Sequence, residues 1–191
     1  MVKTGIGHTV FLDRDGVINR DSPDYITAWD QFGFLPGSLE AIGRLTKAGR
    51  IVIVITNQSA VGRGMMDTAT LETMHRNLRQ AVTAQGGRIE AFFYCPHHPN
   101  DGCACRKPKP GLIEQAQRQY GLDLTSATMI GDSARDIECG IRSGCGRTIL
   151  VQSGLHDARP QLDAQGLPPD WVATDLAAAV DWLLARPGSA T

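Results

Sequence analysis

A chain of 191 residues is long enough for one domain with a substantial core, and residues 1–191 are expected to form a single one. Its 19 basic residues nearly balance 20 acidic ones, which removes any bulk drive toward nucleic acid or an anionic membrane, and the longest strongly apolar run, Ile51 to Ile55, is far too short to span a bilayer. With no signal-peptide type of apolar segment at the start, the expected address is the cytoplasm, and a monomer is taken as the default state.

Thr9 to Leu12 reads as a short buried strand that stops at Asp13-Arg14-Asp15-Gly16, two carboxylates separated by one residue. On the residues alone a solvated acidic turn is an equal reading, because Asp and Gly are ordinary turn formers. After Leu35-Pro36-Gly37, Ser38 is expected to cap a helix carrying Leu39, Ile42 and Leu45, ending near Ala48-Gly49. Ile51-Val52-Ile53-Val54-Ile55 is a β-branched run of the kind buried on both faces of a parallel sheet, and it ends at Thr56-Asn57-Gln58-Ser59. The glycine-rich Val61-Gly62-Arg63-Gly64 follows, then a helix capped by Asp67 with Leu71, Met74, Leu78 and Val82 on one face.

Ala91-Phe92-Phe93-Tyr94 forms a third strand, Leu112 to Tyr120 a helix, and Ala127 to Ile130 a fourth strand that ends in Gly131-Asp132-Ser133-Ala134-Arg135-Asp136. A helix to about Arg142, a strand at Thr148 to Val151, a proline-rich loop, a strand at Trp171 to Ala173, a helix at Leu176 to Leu184 and a frayed tail from Arg186 complete the chain. Alternating strands and helices predict an α/β fold with a doubly wound, mostly parallel sheet.

Three strands thus end in polar clusters, and right-handed crossovers bring such ends to one edge of the sheet, where ligands of open α/β folds sit. Converging carboxylates call for a cation or a proton, and an all-oxygen set of this kind suits Mg2+. Arg106-Lys107-Pro108-Lys109-Pro110 is a proline-restrained basic run placed to meet a phosphate. Cys95, Cys103 and Cys105 with His97 or His98 offer three thiolates and an imidazole within eleven residues, a donor set for tetrahedral Zn2+. Four protein ligands would leave no open position, which points to a structural ion; a free-thiol loop is the competing reading, since the spacing is not that of the common zinc fingers. Burial as small hydrophobes accounts for Cys139 and Cys145.

The order of these parts resembles the haloacid dehalogenase superfamily of phosphotransferases over residues 9 to about 151. Four motifs carry the likeness: Asp13 with Asp15, then Thr56, then Lys107, then Gly131-Asp132 with Asp136. The resemblance implies a Rossmann-like domain without a large cap, and it implies roles. Asp13 would be the nucleophile that forms an aspartyl-phosphate, and Asp15 the acid and then the base. Thr56 and Lys107 would bind the transferring oxygens. Mg2+ would be held by Asp13, the backbone carbonyl of Asp15 and Asp132, with Asp136 either orienting that shell or facing solvent.

At finer grain, Phe-Leu-Asp-Arg-Asp-Gly, Thr-Asn-Gln-Ser, Cys-Pro-His-His and Cys-Arg-Lys-Pro-Lys-Pro-Gly are similar to the heptose bisphosphate phosphatases, whose nearest relatives are the histidinol phosphatases. That likeness implies zinc on Cys95, His97, Cys103 and Cys105, a sugar bisphosphate substrate that loses its 7-phosphate, and a place in the supply of ADP-heptose for lipopolysaccharide core. Arg14, Asp21, Tyr25, Asn57, Gln58, Arg63 and Arg106 become candidate substrate contacts, with the loop from Asn19 to Asp24 offering hydroxyl-binding groups. Arg63 and Arg106 would meet a second anionic group, and surface charge is their plain alternative. Ser133 stands where some family members carry lysine, which removes a phosphate contact or shifts it to Arg135. Histidinol phosphate is the alternative substrate, and a non-catalytic phospholigand-binding module using the basic loop is the alternative of another class.

Overall fold

The structure, a computed structural model, describes residues 8–186, so most of the expected frayed tail lies outside the described residues. Six strands, β1 (Thr9–Leu12), β2 (Ile51–Asn57), β3 (Ala91–Cys95), β4 (Thr128–Gly131), β5 (Arg147–Val151) and β6 (Trp171–Ala173), lie in the order β3-β2-β1-β4-β5-β6. Every pairing is parallel, with Val10 opposite both Val52 and Thr128. Seven helices accompany them among the described residues: α1 (Ser38–Lys47), α2 (Ser59–Gly62), α3 (Thr68–Ala84), α4 (Gly111–Tyr120), α5 (Ala134–Arg142), α6 (Arg159–Gln165) and α7 (Leu176–Ala185).

Side chains alternate across a strand with period two, and the core divides accordingly. Val10, Leu12, Val52 and Val54 pack on one face beneath Ile42 of α1, Leu71 and Leu78 of α3 and Val180 of α7. Phe11, Ile53, Ile55 and Met129 face the other way, onto Leu112, Ile113 and Ala116 of α4 and Cys139 of α5. Burial of each large apolar side chain is worth about 1.5–3 kcal/mol relative to exposure. With both faces covered, the carboxyl edge of β2, β1 and β4 is where the sheet meets solvent, and the polar clusters cross that edge. The Asp13 amide donates to the Ile130 carbonyl at 3.0 Å, which fixes the turn after β1 against β4.

Local expectations differ in four places. Gly37, at a left-handed φ of 74°, is the cap of α1, and Ser38 lies inside the helix with its hydroxyl donating to the Ile18 carbonyl at 2.8 Å. Strand β2 runs two residues further, because Thr56 and Asn57 still pair with Tyr94 and Cys95. The first two residues of the glycine-rich stretch, Val61 and Gly62, are the last two of the four-residue α2. Part of the proline-rich loop is α6, whose proline sits in the first turn, where its missing N–H leaves no helical bond unmade, and whose Leu162 is buried. Asp67 caps α3 as expected, accepting from the Thr70 amide at 2.7 Å. Among the described residues no helix is long and apolar enough to cross a membrane.

Candidate active site

The edge of β1, β2 and β4 opens into a pocket of about 440 Å³ whose floor holds Asp13, Thr56, Lys107, Asp132 and Asp136. Lys107 is buried, 2% exposed, and its ammonium lies 2.9 Å from Asp13 Oδ1 and 2.6 Å from Asp136 Oδ1 while donating to the Ile55 carbonyl at 2.9 Å. Burial alone would favour neutral lysine, but the two carboxylates outweigh it and push the Lys107 pKa up. Asp136 is fully buried and does not face solvent; its second oxygen accepts from the Ser133 amide at 3.0 Å and hydroxyl at 2.6 Å, closing the first turn of α5. Asn57 clasps the backbone of Lys107 from both sides, accepting from its amide at 3.0 Å and donating to its carbonyl at 3.2 Å.

Asp132 completes the floor, wedged between Gly16 and Gly154, where a Cβ on either glycine would overlap its carboxylate. Gly16 also takes a φ of 81°, so glycine is required there twice over. Ligand oxygens of Asp13, Asp132 and Asp136 all lie within 4.8 Å of one another. Burial first, then the neighbouring carboxylates, raises Asp13 to about 7 and Asp132 to about 9. An all-oxygen cluster this reluctant to ionise on its own fits a hard divalent cation, which would take the place of the protons.

Asp15 occupies the opposite side of the same turn. Burial works to raise its pKa, but Arg14, Asn19 and Gln58 prevail and hold it below the ordinary carboxylate value. Arg14 donates from Nε (3.1 Å) and Nη2 (2.9 and 3.0 Å), Asn19 at 2.8 Å and Gln58 at 2.8 Å. Gln58 also donates to the Thr56 hydroxyl at 2.9 Å, which links the Asp15 side to the floor.

The expected substrate contacts separate into two groups. Asp21, Tyr25, Asn57, Gln58, Arg63 and Arg106 line the pocket. Arg14 does not: its side chain is fully buried beneath Asp15, over the Phe32 ring at 5.5 Å, because its charge is committed to that carboxylate. Asn19, expected to offer hydroxyl contacts, is likewise buried behind Asp15. Tyr25 adopts a left-handed φ of 65°, and its ring lies 5.6 Å from the Arg63 guanidinium carbon at the pocket mouth. Arg106 keeps a buried Nη1 with no protein partner among the described residues, and Arg135 is exposed on the wall beside Ser133. Sequence reasoning missed Gly154 and His75. Nothing local marks the glycine, whereas a histidine four residues after Leu71 on an otherwise apolar helix face was a visible signal.

Next to the pocket, Cys95 at the end of β3 meets the loop that follows. Its Sγ lies 3.5 Å from Cys103 Sγ and 3.6 Å from His97 Nδ1, which is 3.2 Å from Cys105 Sγ. His98 turns away and accepts from the Asn100 amide, so the cluster's nitrogen is that of His97. Burial first, and then the other two thiols, raises Cys105 to about 12, and a bound cation would take the place of that proton. Three sulfurs and one nitrogen within 4.8 Å of one another form a metal-type donor set. Lys109 donates to the Gly102 and Cys103 carbonyls at 2.9 and 2.7 Å, which ties this loop to the Lys107 segment.

The chain is similar to known proteins in sequence and in fold. The HAD-hydrolase-like family matches residues 104–179. The D-glycero-beta-D-manno-heptose-1,7-bisphosphate 7-phosphatase of Bordetella bronchiseptica is 46% identical over 176 residues, which cover 92% of this chain and 97% of that protein. The enzyme of the same name from Pseudomonas aeruginosa is 50% identical over 145 residues, 76% of this chain and 81% of that one. A crystal structure of D,D-heptose 1,7-bisphosphate phosphatase from B. bronchiseptica, complexed with magnesium and phosphate, superposes with a TM-score of 0.87 at 44% identity, covering 94% of this chain and 99% of that one. With this agreement in sequence and fold, the chain belongs to the heptose-1,7-bisphosphate 7-phosphatase family of HAD-like hydrolases.

Proposed function

We propose that the protein removes the 7-phosphate of D-glycero-β-D-manno-heptose 1,7-bisphosphate through an aspartyl-phosphate on Asp13, serving the supply of ADP-heptose for lipopolysaccharide core. The observation that carries this reading is the pairing of Asp13 and Asp15 across one pocket, the first held by Lys107 and the second by Arg14. Asp13 Oδ attacks phosphorus and the bond to the sugar oxygen breaks; Asp15 delivers a proton to that oxygen. Free Asp15 is ionised, so its proton must be taken up as the phosphate dianion arrives and repels the carboxylate. Asp15 then accepts a proton from the water that attacks the phosphoaspartate, which returns Asp13 as a carboxylate. Thr56 and Lys107 supply donors to the transferring oxygens from the floor. Mg2+ on Asp13, Asp132 and the Asp15 carbonyl supplies the positive charge that offsets repulsion between carboxylate and phosphate.

Arg63 and the unpartnered nitrogen of Arg106 favour a substrate with a second anionic group, the 1-phosphate, and would repel the amine of histidinol phosphate. The test compares kcat/KM on the two. A preference for the heptose bisphosphate of about 100-fold or more is expected, about 2.7 kcal/mol; a preference for histidinol phosphate overturns the assignment. Phosphate release on either substrate also excludes a non-catalytic binding module.

Zinc on Cys95, His97, Cys103 and Cys105 is the second part of the proposal, supported by the donor set, and elemental analysis is expected to find about one zinc per chain. Freely titratable thiols without zinc would refute it. A single domain is supported by the one sheet that all six strands share, and a monomer by exposed large apolar side chains that are few and scattered in sequence: Met65, Ile141, Leu155 and Trp171. A cytoplasmic address is consistent with five cysteines of which none forms a disulfide.

A further inference from the structure

Behind Asp15 lies a buried titratable group to which the chemistry above gives no role. His75 sits on the core face of α3, 5% exposed, with its ring stacked nearly parallel on Phe92 at 4.5 Å and tilted against Tyr94 at 5.6 Å. Its Nε2 lies 3.4 Å from Arg14 Nη1. A guanidinium carries only donors, so the ring nitrogen accepts, and the ring is the neutral tautomer with its proton on Nδ1. Burial and the adjacent Arg14 charge agree, lowering the His75 pKa to about 3.

Each other side of that guanidinium is taken: Nε and Nη2 serve Asp15, Nη2 also serves Gln58, and Phe32 lies against its face. His75 is the only acceptor for Nη1 among the described residues. His75 Nε2 is the tie at the free corner of a planar fork whose other edge bears on the Asp15 oxygens.

We propose that His75 is a positioning residue for the acid/base step, holding the plane of Arg14 and, through it, aiming the Asp15 carboxylate at the leaving oxygen. His75 touches no substrate and lies outside the pocket that holds Asp13. The inference rests on the phosphatase reading above, and its test separates the two. An alkyl phosphate needs a proton on its leaving oxygen in the first half-reaction, whereas p-nitrophenolate leaves without one.

The experiment measures first-turnover rates with Mg2+ saturating, on heptose bisphosphate and on p-nitrophenyl phosphate, for wild type, His75→Leu and His75→Gln. His75→Leu is expected to slow the sugar phosphate about tenfold with KM changed less than about twofold, and to slow the aryl ester less than about twofold. His75→Gln, which keeps an acceptor oxygen, is expected to recover most of the loss. Equal slowing on both substrates, no slowing on either, or a Gln variant no better than Leu would each overturn the positioning role. Wild-type enzyme that releases no phosphate from the sugar would instead overturn the phosphatase assignment itself. Should the Leu variant fold poorly, His75→Phe, which fills the same space without an acceptor, takes its place and must show the same selective loss on the sugar phosphate.

Discussion

Asp13 and Asp15 stand one residue apart, yet the two sides of the turn after β1 treat their carboxylates in opposite ways. On the floor, burial and two further carboxylates raise Asp13 to about 7 despite Lys107. On the other side, Arg14, Asn19 and Gln58 overcome burial and keep Asp15 ionised. In the proposed reaction one side would meet a cation and a phosphorus, and the other would carry the proton traffic. Two aspartates so close in sequence differ because each faces a different set of neighbours, contributed by different strands and helices.

Substitutions can break this contrast one side at a time. Asp13→Asn is expected to cost the most, about 10⁴-fold or more in phosphate release with the circular dichroism spectrum unchanged, since no other group can carry the phosphoryl bond. Asp15→Asn should cost about 10²–10⁴-fold on the sugar phosphate and markedly less in the first turnover of an aryl ester. Asp136→Asn removes a partner from the buried Lys107 while leaving Asp13 in place. A loss of about 3 kcal/mol in urea unfolding is expected, the lower end for a broken buried pair, and an unchanged midpoint would show that Asp13 alone satisfies the ammonium.

The gentlest probe is pH. Asp13 and Asp132 keep protons in the folded chain that the unfolded chain sheds near 3.8, so without metal their contribution to stability falls as pH rises from there through about 7 and 9. Mg2+ must displace those protons, so its upward shift of Tm should be larger at about pH 8.5 than at about pH 6. Asp15 has the opposite sign: its contribution is present above the unfolded value and is lost as pH falls through its lowered one. A Mg2+ shift independent of pH would mean that the floor is already ionised without the ion.

The strands and the helices carrying a clear apolar face were legible in the sequence because β-branched runs and helical spacing are local signals, as at Ile51 to Ile55 and at Leu71, Met74 and Leu78. The meeting of Asp13, Thr56 and Asp132 followed from strand ends that a parallel sheet must align, whereas Lys107, on the loop after β3, was placed by its basic run and the family likeness. What pattern alone did not reveal was the depth at which charge is buried. Arg14 was a candidate ligand contact only through the family likeness, and the convergence of Asp15, Gln58, Phe32 and His75 explains its burial instead. Asp136 had two open readings for the same reason, since its partner Lys107 comes from the far side of β4 in the chain. The α6 segment was hidden by Pro160, which reads as loop in a window and as a helix start in place.

The buried Lys107 has a consequence beyond catalysis. When Asp13, Asp132 and Asp136 are all ionised, three carboxylates face one ammonium, and the floor carries two net negative charges. A dianion approaching that floor is repelled, and a dication bound there cancels the repulsion. Metal and phosphate therefore occupy the site as thermodynamic partners: each tightens the other, and by linkage the factor by which Mg2+ improves phosphate binding equals the factor by which phosphate improves Mg2+ binding.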